Sequence, residues 1–370
     1  MSELNFEVLD PEDLYPEHFE LWNKTKIHYK SYSSADYIMK RLLKSDFLVL
    51  KNFTVRSLCL RKRGQAIICA QVFFHKTDPQ IKPSIGLVAC LPDLTNSEAS
   101  FFWQSLRKEF PEESFIGPMN AHAYLGLSIP MDQLKNNMDF KKIGFATAGT
   151  YQGLQVLWQS SELNLYRKYF SFETQITSEL ILKLKSEMIT LPLGFSVRPF
   201  RRIGFQKEMK IVNKISKQAF ADHFNLSWLT DEENWDIFKL SWMVQTKGFC
   251  SFLLKDQLPI GFCMAMLDFN QVVNQESSDA HNLFSIVSKR HLIARARMVH
   301  IGILPEYQGK KLSKYLRHHV ILNIVKNGIR TIESSYVDEA NVNSIKNIES
   351  TEGKLLHEFS LFRTLKKKEA

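Results

Sequence analysis

The alternation of apolar and polar positions is clearest over residues 53–74, FTVRSLCLRKRGQAIICAQVFF. There Val55, Ser57 and Cys59 alternate with Arg56, Leu58 and Leu60, the period of a strand whose successive side chains point to opposite faces. Lys62-Arg63-Gly64-Gln65 makes a turn and an apolar run, 66–74, follows, so the stretch predicts a β-hairpin. SIGLVACLPD (84–93) predicts a buried strand ended by proline. Thr95, with Glu98 three positions on, is a capping-box signature that opens an amphipathic helix over 97–110. ESFIGPMNAHAYLGL (113–127) predicts a returning strand that runs into a Gly-Pro turn.

The same order recurs in the second half. FSVRPF (195–200) is a short strand, and 206–220 a helix with Met209, Ile211, Val212, Ile215 and Phe220 inward. A second hairpin spans 249–267, turning at Lys255-Asp256-Gln257. ARARMVHIGILPE (294–306) is an apolar strand ended by proline. A helix from Gln308 buries Leu312, Tyr315, Leu316, Val320 and Ile324 and stops at Gly328. IRTIESSYV (329–337) is a strand, 341–350 a short helix with Asn341 as cap, and LLHEFSLFRTL (355–365) a closing strand. The order hairpin, strand, helix, strand thus occurs twice. A small echo accompanies it: Ile85-Gly86 and Leu91-Pro92-Asp93 against Ile301-Gly302 and Leu304-Pro305-Glu306. The period is too long for a solenoid. The reading is a mixed α/β (α+β) protein of two related lobes, 1–185 and 186–370, each a mostly antiparallel mixed sheet flanked by helices.

Composition supports this. Apolar residues make up 44% of the 370, enough for full cores, and phenylalanine is abundant. The five cysteines lie scattered in apolar runs with no CxxC pair, as reduced core residues of a cytoplasmic protein do. The N-terminus carries early acids and no apolar stretch of signal-peptide type. No run approaches the roughly 18 apolar residues of a membrane span. The net charge of +9 is uneven, with 26 basic against 18 acidic residues from Ser196 onward. Such a field steers anions. Zinc-finger spacing, RNA-binding aromatic motifs and a dense basic helix are absent, which argues against nucleic acid. No GxSxG, HExxH, P-loop or GxGxxG is present, and no metal site is read.

The stretch ILPEYQGKKLS (303–313) places a glycine and two lysines where a helix begins. A helix start already offers unpaired N–H groups and a partial positive charge. Added lysines make physical sense if an anion docks there, phosphate first of all. The corresponding first-half stretch, CLPDLTNSEA, has no glycine and no base, and its Asp93 and Glu98 repel phosphate.

VHIGILPEYQGKKLSKYL (299–316) resembles the cofactor motif of the GNAT acyltransferase superfamily, in which a strand ending in a V-x-P-E-Y-like phrase leads to Arg or Gln and a glycine-rich turn. Gln308 matches the Arg/Gln; Lys311 and Ser313 stand where the family prefers glycine or alanine, and Gly309 lies two residues before the usual glycine. The order of elements over 196–365 is similar too. The first half, with IGLVACLPD and FIGPMNAHAYLG, resembles the degenerate N-terminal lobe of tandem GNAT proteins. The resemblance implies an N-acetyltransferase-type enzyme that moves an acyl group directly from acetyl-CoA or another acyl-CoA to an amine, on a small molecule or a peptide. It implies pyrophosphate on Gln308, Gly309, Lys310, Lys311, Leu312 and Ser313, and pantetheine beside the peptide groups of Ile303 and Leu304 and beside Asn341 or Asn343. Gly302 reads either as a strand bulge or as a point of close packing. The proton acceptor is sought among His300, Glu333 and Tyr336. The family's acid tyrosine has no counterpart, since Ile348 or Ser350 stands in its place. Two alternatives follow. One is an acyl carrier protein as donor, met by Lys310, Lys311, Lys314 and Arg317. The other is a non-catalytic module that keeps the fold.

Overall fold

The hairpin read over 53–74 forms as β2 (Phe53–Lys62) and β3 (Gln65–His75), and the buried run after it as β4 (Ser84–Cys90). The computed structural model of the chain describes residues 3–25, 36–130, 151–189, 191–221, 228–239, 246–273 and 277–365. In the first half β1 (Leu4–Leu9), α1 (Pro11–Thr25) and α2 (Asp36–Leu43) precede the hairpin. After β4 come α3 (Asn96–Glu109), β5 (Ile116–Gly117), β6 (Ile129–Pro130), α4 (Gln152–Trp158) and β7 (Leu163–Gln175). The second half holds α5 (Ser178–Met188), β8 (Phe195–Pro199), α6 (Phe205–Ala219), α7 (Asp231–Phe238), β9 (Cys250–Lys255), β10 (Leu258–Leu267), α8 (Asp279–Ser288), β11 (Arg295–Ile303), α9 (Leu312–Lys326), β12 (Thr331–Asp338), α10 (Val342–Glu349) and β13 (Lys354–Thr364).

The predicted capping box at Thr95 and Glu98 is present, with both reciprocal hydrogen bonds. Asn341 caps α10 by accepting from the Ser344 N–H. The strand expected over 113–127 is only two residues long, because a cis Gly117-Pro118 bond and a single-turn helix, Ala123–Leu125, take up the rest.

Strand alternation sorts each half of the sheet into two buried faces. In the first half Leu58, Leu60, Ile68 and Val72 face Phe102, Trp103 and Leu106 of α3 and Leu154 and Trp158 of α4. Val55, Cys59, Cys69 and Phe73 face Leu14, Leu21 and Trp22 of α1 and Leu42 and Leu43 of α2. The second half repeats the plan. Cys263, Ala296, Met298 and Ile332 meet Leu312, Leu316, Val320 and Ile324 of α9 and Leu180 and Leu184 of α5. Phe252, Phe262 and Met264 meet Met209, Val212 and Ile215 of α6 on the other side.

One 13-stranded sheet runs through the molecule, in the order β1-β2-β3-β4-β5-β13-β7-β12-β11-β10-β9-β8, with β6 also on β13. The final strand therefore returns to lie between β5 and β7, while β7 lies between β13 and β12. The antiparallel β7–β13 pair, in register from Lys354↔Glu173 to Thr364↔Leu163, is common to both repeats.

Two of the buried histidines are His18 on α1 and His318 on α9, 1% and 2% exposed. Burial lowers both imidazoles to about 4, against hydrogen bonding to the Leu87 carbonyl for His18 and the nearby Glu187 carboxylate for His318. Their folded values lie below the unfolded one. The unfolded chain therefore binds more protons between pH 6.5 and 4, and stability is full above that window and lost as pH falls through it. Each histidine is expected to contribute about 1.4 kcal/mol of loss per pH unit. Urea midpoints compared at pH 7, 6 and 5 check this; a pH-independent midpoint would contradict it.

Candidate functional site

β11 and β12 begin as parallel neighbours, Arg295↔Thr331 to Met298↔Ser334, and then part. Both lips are bulged where they separate. On β11 the register to β10 skips from His300↔Met264 to Met298↔Ala265, leaving Val299 as the extra residue. On β12 the register to β7 skips between Ser334 and Val337, so Ser335 and Tyr336 together oppose one residue. A bulge resets which side chains share a face. With Val299 inserted, Arg295, Arg297 and His300 all fall on the α6 side of the sheet, whereas Ile303 packs with α9 on the other.

The α6 side of the parted strands is polar and buried. Arg295 is 5% exposed and its Nε donates to Asp268 Oδ2 at 2.5 Å. Arg297, 3% exposed, donates from Nη2 to Ser335 Oγ at 3.0 Å and lies 5.3 Å over the Tyr336 ring. Glu333, fully buried, stands opposite Arg297 in the ladder, and both of its carboxylate oxygens lack a hydrogen-bond partner among the described residues. A bare buried carboxylate is costly unless a counter-charge arrives or it is protonated. The His300 ring is half-buried among three aromatic rings: stacked on Phe220 at 4.9 Å, edge-on to Phe262 at 4.9 Å and to Tyr124 at 5.7 Å. Tyr124 belongs to the first half, so one half of the chain covers the candidate base of the other. Burial pushes its phenol up, so it stays protonated, with the Ser216 hydroxyl opposing.

At the C-terminal end of β11, Pro305–Tyr307 forms one helical turn, and the Gln308 side chain donates back to the Ile303 carbonyl at 2.8 Å. Gly309 and Lys311 both have left-handed φ, +71° and +57°, and α9 starts at Leu312 with no side-chain cap. The N–H groups of Gly309, Lys310, Lys311, Leu312 and Ser313 make no backbone hydrogen bond among the described residues. Gln308, Gly309, Lys310 and Lys311 are exposed, and a side chain added at Gly309 would meet nothing within 4 Å. These are open backbone donors at a helix start with two lysines at the rim, a geometry suited to an anion.

The first half carries the same device, filled from within. β4 is bulged at Leu87 and Val88, opposite Ala70, and pairs with β5 through Ser84↔Ile116 alone. Here the Leu87 N–H donates to Asn120 Oδ1 at 2.8 Å, and His18 Nε2 lies 2.6 Å from the Leu87 carbonyl oxygen. The Met119 N–H bonds the Ile85 carbonyl at 2.9 Å, and a Cβ on Gly86 would lie 2.5 Å from the Met119 carbonyl oxygen. The GPMN turn thus occupies the gap between the parted strands, and its far end delivers Tyr124 to His300.

Several expectations meet a different geometry. Gly302 is in register with Phe262 and is not the bulge; a Cβ there would sit 2.9 Å from the Phe262 ring and 3.1 Å from that of Phe220, so it is the point of close packing. Arg317, expected to face a carrier protein, is 2% exposed, and Lys314 lies 3.7 Å from Glu187. The Leu304 N–H is committed to the Ile260 carbonyl and the Ile303 carbonyl to Gln308. Leu312 is buried, so it offers only its backbone, and Ser313 is half-buried. Asn341 and Asn343 are exposed at the start of α10. His300, Glu333 and Tyr336 share one sheet face, with Tyr336 packed against Phe359 at 4.7 Å and Tyr169 at 6.3 Å. Sequence reasoning overlooked Arg297, Ser335, Asn120 and Tyr124. An arginine inside an apolar strand run was the available signal for the first; nothing local marks the others.

No family model matches the sequence, and no curated protein does. Solved structures do match. A tandem GNAT protein from the clavulanic acid biosynthesis pathway, solved without AcCoA, superposes with a TM-score of 0.56 at 10% identity, over 98% of both chains. A GCN5-related glucosamine N-acetyltransferase region of a fungal multi-domain GH3 β-N-acetylglucosaminidase gives 0.53 at 8% identity, over 97% of this chain and 38% of that longer one. The chain has the tandem GNAT fold, a mixed α/β architecture with a mostly antiparallel sheet. No helix among the described residues is long and apolar enough to cross a membrane.

Proposed function

We propose that the protein is an N-acyltransferase that moves an acyl group, acetyl in the simplest case, from a coenzyme A thioester to an amine by direct transfer. The observation that carries this reading is the contrast between the two parted strand pairs. The gap in the first half is plugged by Asn120 and Met119. The gap in the second half ends in a cradle of open N–H groups flanked by exposed Lys310 and Lys311. The second half is then the donor-binding lobe, 186–370, and the first, 1–185, a degenerate lobe that supports it.

The cradle fits a pyrophosphate: it offers backbone donors, a helix start and two cations. Coenzyme A, when bound, supplies the acyl group as an activated thioester. The chain's own residues do the rest. Glu333 receives the cationic amine at the floor of the cleft, and the His300 imidazole takes a proton from its nitrogen so that the lone pair becomes available. Tyr124, Phe220 and Phe262 hold that imidazole in one orientation. Tyr336 on β12 forms the opposite lip, with Arg297 of β11 lying over its ring. An acyl carrier protein as donor remains the second reading, now resting on Lys310 and Lys311 alone.

Calorimetric titration with acetyl-CoA and longer acyl-CoAs tests the proposal. Micromolar binding is expected, weakened at least about tenfold in a Lys310→Glu/Lys311→Glu variant, because two reversed charges oppose the phosphates. Absence of binding at millimolar acyl-CoA would remove the coenzyme A reading; binding unchanged in the variant would move the cofactor off the cradle.

A further inference from the structure

Arg317, in the second turn of α9, has no part in the chemistry above. It is 2% exposed and forms no ion pair among the described residues. Its Nη1 donates to the Asn347 carbonyl at 2.7 Å and to Thr351 Oγ1 at 2.5 Å. Its Nε and Nη2 have no hydrogen-bond partner among the described residues. Cys263, the acidic group whose charge would favour the guanidinium, is no counter-ion, because burial pushes its thiol up and keeps it neutral. Burial also lowers the guanidinium to about 10, which leaves it charged at neutral pH. Cys263 stands opposite Ile301, on the stretch of β11 that has left β12. α9 follows β11 and α10 follows β12, so an arginine tied from one helix to the end of the other crosses the parted strands on the side away from His300.

We propose that Arg317 is the seat of a ligand carboxylate. Nε and Nη2 share one of the two guanidinium edges whose N–H bonds run parallel and grip a carboxylate with two hydrogen bonds, the other edge being taken up at Nη1. The Nη1 bonds to Asn347 and Thr351 fix the plane and so present that edge. One uncompensated positive charge with two free parallel donors calls for a negative group with two coplanar acceptor oxygens, which a carboxylate supplies. Leaving a guanidinium buried with neither counter-ion nor acceptor on two of its nitrogens is costly, and an arriving carboxylate removes both defects. The carboxylate belongs to a small molecule that enters the cleft, either on the acyl chain or on the amine. The proposal does not depend on the donor being coenzyme A.

Thermal unfolding of the full chain with added succinate, and with the neutral isostere succinamide at matched ionic strength, tests this in wild type, Arg317→Met and Arg317→Lys. Succinate is expected to raise the wild-type midpoint in a concentration-dependent way and succinamide to leave it unchanged. Arg317→Met should bind succinate at least about tenfold more weakly, with Arg317→Lys between, since lysine keeps the charge and loses the paired geometry. Without ligand, Arg317→Met should unfold at the wild-type temperature or above. Stabilisation by succinamide, stabilisation retained in Arg317→Met, or an Arg317→Met protein that is several degrees weaker or fails to fold would each overturn the proposal and make Arg317 a structural tie between α9 and α10. Succinamate protecting where glycine does not places the carboxylate on the acyl chain; the reverse places it on the amine. None of these probes carries a thioester, so the outcome is separable from that of the acyl-CoA titration.

Discussion

His300→Gln is expected to lower the turnover of amine acylation by about 10²–10⁴-fold, the usual worth of a positioned general base, while acyl-CoA binding stays within about threefold. The glutamine amide fills the imidazole's place between Phe220 and Phe262 without accepting a proton at neutral pH. The ring is packed on three sides by aromatic groups, so its orientation is set before any substrate arrives. The pH profile carries the diagnosis. Loss of the base should abolish the acid limb of kcat, because the remaining rate no longer depends on an imidazole titrating there. Thiol release followed with an amine panel measures both. A variant that keeps near-wild-type turnover would return the base to Glu333, the buried carboxylate on the same face, and Glu333→Gln would then show the large loss.

Phe359→Ala is expected to destabilise the folded chain by about 3–5 kcal/mol, the range for truncating a fully buried aromatic ring. Phe359 has no exposed surface and lies edge-on to Tyr336 at 4.7 Å. It sits on β13, paired with Tyr169 of β7 on one side and Pro130 of β6 on the other. The cavity therefore opens in the seam that both repeats share. Urea unfolding followed by tryptophan fluorescence and by far-ultraviolet dichroism should give a lower midpoint with the two signals still coincident. Separate transitions would mean that the halves unfold independently, against the continuous sheet. The lip residue Tyr336 also loses its backing, so activity should fall in the folded variant.

Local signals were legible where a local cause sufficed. The hairpins at 53–74 and 249–267 follow from alternation and a turn, and the helices at α3 and α10 from Thr95, Glu98 and Asn341. The same capping-box signature at Thr230 and Glu233, which opens α7, was equally readable and was passed over. The cradle was visible as Gly309 and two lysines at a helix start. Its geometry was less so: Lys311 adopts the left-handed φ that a glycine would take more easily. Gly302, read either as a bulge or as a point of close packing, is the latter, and the bulge is elsewhere. It lies at Val299, because the register is set by how Met264 and Ala265 of the neighbouring strand meet β11.

The sequence alone determined the two hairpins, the helices α3, α6, α9 and α10 with the strands beside them, the doubling of that order and the chemical character of the loop at 303–313. Each depends on residues within a few positions of one another, and periodicity or capping reports such interactions directly. Tertiary structure decided what those elements meet. It set β13 between β5 and β7, brought Tyr124 from the first half onto His300, plugged one pair of parted strands with Asn120 and left Glu333 and Arg317 buried with unused hydrogen-bonding capacity. Those outcomes are contacts between residues far apart in the chain. They are selected by the competition of all pairings for one sheet and one core, and no short window of sequence contains that competition.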